Sequence, residues 1–269
     1  MKACIARWLR AAMACLPMLL AAPAIASPEM MAKMLRDMYG RPEQIDKAVQ
    51  TAYGARLGPE QMAVARRNMQ AVLFHPKMPA FMWKVAEPLI GARMHESQIR
   101  QAMVEVMLAT QAKGMARLPA ARQVVFVRHM ISMMESIPSS QCRSMVAGNV
   151  DTATSADVER KYISTLPPPQ FESVSALYRD AAEAELNSAP EPRHVNPTQA
   201  AAADKVYEQT LTKLLRQAFT RDELQRLGAG SASNDAEMCR FARTNLEAMV
   251  RMAEPYRDWK IQSFIQSLQ

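Results

Sequence analysis

Sulfur and imidazole side chains carry the most pointed chemistry in this sequence. His129 and Met130 are followed by Met133 and Met134, and on a helix His129 and Met133 share one face. Thioethers with an imidazole suit Cu(I), so His129, Met130, Met133 and Met134 are the residues to which copper would bind. Met30, Met34 and Met38 repeat the same spacing, and Met103 and Met107 lie one turn apart. Methionine is equally a flexible filler of apolar cores. The 22 methionines form no dense M-x-M cluster, and their stripes follow the faces expected to be buried. Packing is therefore their expected role, and no metal or other cofactor is expected.

The chain contains four cysteines, of which Cys4 and Cys15 lie in its opening segment. Cys142 and Cys239 remain, 97 residues apart. In an oxidising compartment two such cysteines most simply pair with each other. No histidine lies near either one in sequence, so a thiol nucleophile is not expected.

Other catalytic signatures are missing. His95-Glu96 begins like a zinc-protease helix, but Ile99 stands where the second ligand belongs. Gly228-Ala229-Gly230-Ser231 has no strand before it and reads as a turn, and no S-x-x-K or P-loop occurs. Glu183 and Glu185 point to different faces of a helix, which does not suit paired acid–base work. His75 precedes a proline at a helix end, and His194 falls in a proline-rich connector.

The compartment is argued from the first residues. Lys2, Arg7 and Arg10 precede an apolar run from Ala11 to Ile25, which ends Ala24-Ile25-Ala26 before Ser27-Pro28. A basic start, a short apolar core and a small-residue exit form a cleavable secretory signal over residues 1–26, cut between Ala26 and Ser27. The run is too short for the roughly 20 residues that span a bilayer, so no transmembrane segment is expected in the mature chain. The expected location is the periplasm, or outside the cell.

Charge narrows the partners. Residues 27–150 hold 16 Lys/Arg against 9 Asp/Glu, while residues 151–269 hold 14 against 17. A basic first half suits an acidic protein partner or a membrane surface. The arginines are scattered without interleaved aromatics, which argues against nucleic acid.

The elements that would position these residues are helices. Glycines number only 8 in 269 residues and aromatics are 6%, whereas helix formers such as Ala, Met, Leu, Gln and Arg abound. Proline repeatedly stands at a helix first turn, as in Ser27-Pro28-Glu29, Arg41-Pro42-Glu43 and Gly58-Pro59-Glu60. Gly40, Gly54 and Gly114 are read as left-handed helix ends. Later helices are expected from Pro119 to Ser136, from near Ser155 to Pro167, over 170–187 and over 198–219. Thr220 to Glu223 forms a capping box, and Asn234-Asp235 caps a further helix. Val124 to Val127 favours a strand locally but sits inside a helical pattern. The prediction is an all-α fold of about ten helices in antiparallel hairpins, forming a bundle or a two-lobed array. The proline-rich connectors at 167–169 and 188–197 suggest an N-terminal lobe over 27–150 and a C-terminal lobe over 151–269, joined by the cysteine pair.

One stretch resembles a known family. Leu57-Gly58-Pro59-Glu60-Gln61, the segment from Met82-Trp83 to Pro88-Leu89, Glu96 to Arg100, and Gly114 with Leu118-Pro119 follow one order. That order is similar to an exported, methionine-rich helical family of unknown function from Gram-negative bacteria. The resemblance spans about residues 57–119, with Met107-Leu108 where the family carries an aromatic pair. It implies an all-α exported domain and no activity.

The expected class is thus a non-catalytic envelope protein that binds a partner, either another envelope protein or a membrane surface. A lipid or small-molecule carrier with an apolar cavity is the alternative from a different class. A Cu(I)-binding protein and a hydrolase assembled from scattered residues stand behind these.

Overall fold

Helix starts are locally encoded. Asn196 and Asn234 accept from the backbone N–H three residues on, at 2.9 and 2.8 Å, and Ser27 does the same for Met30. Such caps satisfy donors that the first helical turn leaves open. Thr220 and Glu223 cap reciprocally, as their spacing predicts. The computed structural model describes residues 27–53, 57–91, 110–149, 152–228 and 234–268. The expected signal through Ala26, the His95-Glu96 pair, Met103, Met107, Gly54, the Glu96 to Arg100 stretch and residues 229–231 lie outside them.

Thirteen helices are present among the described residues, and no strand. They are α1 (Pro28–Tyr39), α2 (Pro42–Tyr53), α3 (Pro59–Leu73), α4 (Met78–Gly91), α5 (described over 110–117), α6 (Ala120–Ser136) and α7 (Ser139–Ala147). The second half holds α8 (Thr152–Thr165), α9 (Pro168–Asn187), α10 (Pro197–Ala218), α11 (Arg221–Gly228), α12 (Asp235–Arg251) and α13 (Tyr256–Gln266). The all-α expectation holds. Val124, Phe126 and Val127, despite their strand preference, bury their side chains from α6.

Two apolar cores organise the bundle. The smaller lies among α1–α4 and takes Met31, Leu35, Ile45, Met78 and Met82, closed by Ala182 and Leu186 of α9. The larger draws on α5–α9, α12 and α13, with Met115, Met130, Met133, Met145, Phe171, Leu177, Ile261 and Ile265 at its centre. Helix α9 serves both, and it packs along α3 and against α6. Both cores therefore take residues from either side of residue 150.

The Cys142 and Cys239 sulfurs lie at disulfide distance, with Cα atoms 5.6 Å apart. They join α7 to α12, two helices already packed together. Helix α7 itself was not anticipated from the sequence. It is nine residues long and opens Ser139-Ser140-Gln141, without a charged first turn.

Two readings of glycine are corrected. Gly40 caps α1 with an ordinary right-handed φ of −74°. Among the described residues, the left-handed ones are Gly148 (φ 73°) and Ser188 (φ 52°), which end α7 and α9. Gly114, expected to stop a helix, sits within α5. A Cβ there would fall 1.7 Å from the Ala181 carbonyl oxygen of α9. The missing side chain serves close helix contact, not chain reversal.

A fully paired polar cluster fastens the 188–196 connector. Gln123 Nε2 donates to Gln262 Oε1 at 2.7 Å, and Gln262 Nε2 donates to the Ala116 carbonyl at 3.1 Å. Arg193 from the connector donates to Gln123 Oε1 at 2.6 Å.

Candidate functional site

Polar groups buried in an apolar bundle need a partner or a purpose. Among the described residues, four of the twelve buried polar ones, Asn68, Gln111, Glu159 and Ser175, converge where α2, α3, α8 and α9 meet. Asn68 lies on α3, Glu159 and Arg160 on α8, and Ser175, Tyr178 and Arg179 on α9. Gln111 of α5 closes the ring. Together with Tyr39, Tyr53, Val72, Ile163 and Val174 they line a cavity of about 60 Å³. At 10–15 Å³ per water-sized site this is room on the order of five such sites.

Glu159 is the least expected member, a carboxylate only 5% exposed. The Tyr178 hydroxyl donates to its Oε1 at 2.5 Å, and His129 Nε2 lies 3.4 Å from the same oxygen. A buried carboxylate is tolerable when it is hydrogen-bonded in this way. Burial pushes the Tyr178 phenol well above its ordinary range, and the adjacent Glu159 charge adds to that. Tyr178 therefore remains a donor. Tyr162 is also raised, chiefly by burial. The His129 ring sits between the two tyrosines, 5.5 Å from Tyr162 and 6.1 Å from Tyr178 between centroids.

A second chain of contacts runs along α9. Asn68 Nδ2 donates to Ser175 Oγ at 2.9 Å, and Arg179 Nη1 donates to Asn68 Oδ1 at 2.9 Å. Arg179 also donates to Asp180, which Arg122 holds from the other side at 2.5 Å. Ser175 Oγ is thus an acceptor from Asn68 and keeps its own hydrogen to donate. Its partner is an amide, which cannot take a proton, so the hydroxyl is not activated as a nucleophile. Gln111 is 2% exposed, and its Oε1 has no hydrogen-bond partner.

Of the residues singled out in the sequence, His129 alone joins this cluster, through Glu159. Met130, Met133 and Met134 lie buried in the larger core. Glu185 pairs with Arg117 at 2.7 Å across α9 and α5. His75 accepts from the Lys77 N–H at 3.2 Å at the end of α3. Among the described residues, no three His, Cys, Asp or Glu side chains are grouped so as to hold a metal ion.

Sequence reading missed Glu159, Tyr178, Asn68, Ser175 and Gln111. A signal existed for one of them. Glu159 stands four residues before Ile163 and seven before Leu166, both buried, so it is a carboxylate on an apolar helix face. Comparison with protein-family models, with curated proteins and with solved structures returns no match.

Proposed function

We propose that this chain is a non-catalytic binding protein of the cell envelope, whose ligand is a small neutral polar molecule seated in the cavity between α2, α3, α8 and α9. The observation that carries the reading is the cavity's wall. It is largely apolar, yet Arg160, Arg179, Asn68, Ser175 and Gln111 converge on it. Binding sites combine apolar walls with a few placed polar groups in this way. Arg179 is already held by Asp180 and Asn68, and Glu159 by Tyr178; the Gln111 Oε1, which lacks a donor, and the Ser175 hydroxyl hydrogen favour a neutral ligand carrying both a donor and an acceptor. The volume limits that ligand to a handful of non-hydrogen atoms, too few for a lipid.

The surface supports a small ligand over an apolar protein partner. Among the described residues, the large apolar side chains standing exposed are Met30 and Phe74. Docking faces present contiguous apolar patches instead. No helix among the described residues is long and apolar enough to cross a membrane. Export supports the compartment and rests on the N-terminal signal pattern.

The test is a melting-temperature screen of the mature protein against short-chain amides and alcohols. A ligand at one hundred times its Kd adds about 2.7 kcal/mol, which raises Tm by about 5–10 °C in a chain of this size. The Ser175→Leu variant, which fills the cavity, should lose the shift while keeping its helical spectrum. A panel in which no compound moves Tm, or shifts that survive Ser175→Leu, would remove the proposal.

A further inference from the structure

The methionine stripe of α1 takes part in neither the cavity nor the disulfide. Met30, Met34 and Met38 stand one helical turn apart on one face of the helix, and their burial is graded. Met30 is 41% exposed and is the one exposed methionine among the described residues. Met34 and Met38 are half-buried and pack against the smaller core. Met31, next to Met30 in the chain, turns inward and is 1% exposed. Met78 and Met115 are fully buried.

That gradient governs thioether chemistry, because a peroxide must reach the sulfur lone pair before it can react. Close packing keeps it from the core methionines, whereas the Met30 side chain meets water. We propose that α1 carries an oxidant-modification site, at which a hydroperoxide converts Met30 to its sulfoxide first and Met34 and Met38 afterwards. The thioether sulfur attacks the terminal peroxide oxygen, and the S–O bond forms as the O–O bond breaks. The proton on the attacked oxygen passes to the departing one, which leaves as an alcohol, or as water when the oxidant is hydrogen peroxide. Sulfur is oxidised by two electrons and the peroxide is reduced by two.

The two stages differ in consequence. A sulfoxide at Met30 projects into water and leaves the helix in place. One at Met34 or Met38 sets a polar oxygen against apolar side chains, which is unfavourable without a donor. Helix α1 packs against α2 and α4, and the second stage loosens it from both. The first methionine therefore consumes oxidant at no structural cost, and the next two convert excess oxidant into a local opening.

The experiment treats the mature protein with hydrogen peroxide, follows each methionine by tandem mass spectrometry of its peptides, and measures amide hydrogen exchange. Met30 should oxidise at least tenfold faster than Met31, Met78 and Met115. Met30→Leu should remove that fast phase and leave Tm unchanged. Once Met34 and Met38 are oxidised, α1 amides should exchange at least tenfold faster, with those of α6 unchanged. The double variant Met34→Leu/Met38→Leu keeps the apolar volume; in it α1 exchange should no longer respond to peroxide, while Met30 still oxidises first. The proposal falls if Met30 oxidises no faster than Met31, if oxidation at Met34 and Met38 leaves α1 exchange unchanged, or if the double variant opens as wild type does. The wild-type peptide rates decide the first point without any variant.

Discussion

Replacing Gly114 by alanine tests the central crossing of the bundle. The added Cβ would meet the Ala181 carbonyl oxygen at 1.7 Å, its carbon at 2.5 Å and its Cα at 3.2 Å. All three atoms are backbone, so no rotamer change relieves the clash, and α5 and α9 must move apart. One turn further along the same crossing, Arg117 and Glu185 make a 2.7 Å pair with both side chains mostly covered. Separation would stretch that pair as well. Overpacking a core contact costs about 1–3 kcal/mol, and backbone against backbone belongs at the upper end. Alanine's better helix propensity offsets about 1 kcal/mol of this. The net loss is about 2 kcal/mol, or a Tm lower by about 4–8 °C in a chain of this size. Gly228→Ala is the control, because nothing lies within 4 Å of a Cβ there. It should be neutral or gain about 0.4–1 kcal/mol. Thermal and urea unfolding followed by circular dichroism would read both. A Gly114→Ala protein as stable as wild type would refute the close-contact explanation.

Two further outcomes are expected. Converting Cys142 and Cys239 together to serine opens a loop of 97 residues and should cost about 2–4 kcal/mol; an unchanged urea midpoint would show that the pair adds nothing to stability. Tyr207 donates to Asn245 Oδ1 at 2.7 Å, and burial, with the Asp204 charge second, pushes its phenol from 10.0 up to about 12. Because the fold favours the protonated phenol, its contribution is complete below pH about 10 and is lost as pH rises towards about 12. Urea midpoints across that window should fall less steeply in Tyr207→Phe; equal slopes would contradict the assignment.

Helix starts were legible because their causes are local. Pro28, Pro42 and Pro59 each open a helix in the structure, and Thr220 and Asn234 cap as their spacing predicts; Pro168 and Pro197, read as connector, instead begin α9 and α10, the latter capped by Asn196. Gly114 was misread because a glycine that reverses the chain and one that admits a neighbouring backbone look identical in sequence. Helix α7 was missed because Ser139-Ser140-Gln141 is a weak start and the helix spans barely two turns. Its end at Gly148, by contrast, is a left-handed glycine of the expected type. The cavity was invisible for a different reason. Asn68, Gln111, Glu159 and Ser175 lie on four different helices, and each alone resembles an ordinary surface residue that happens to fall on an apolar face.

By itself, the sequence determined the all-α class, most helix boundaries and the pairing expected of Cys142 with Cys239. Those follow from composition, capping and the count of cysteines, which act over a few residues or not through space at all. Only the tertiary structure decided that α9 lies between two cores and that Gly114 meets Ala181. It also decided that Glu159 is held by Tyr178 and that Arg179 meets Asn68. Such facts depend on which helix faces meet. That choice is set by packing across more than a hundred residues of separation, as between Asn68 and Ser175, where no local spacing carries the information.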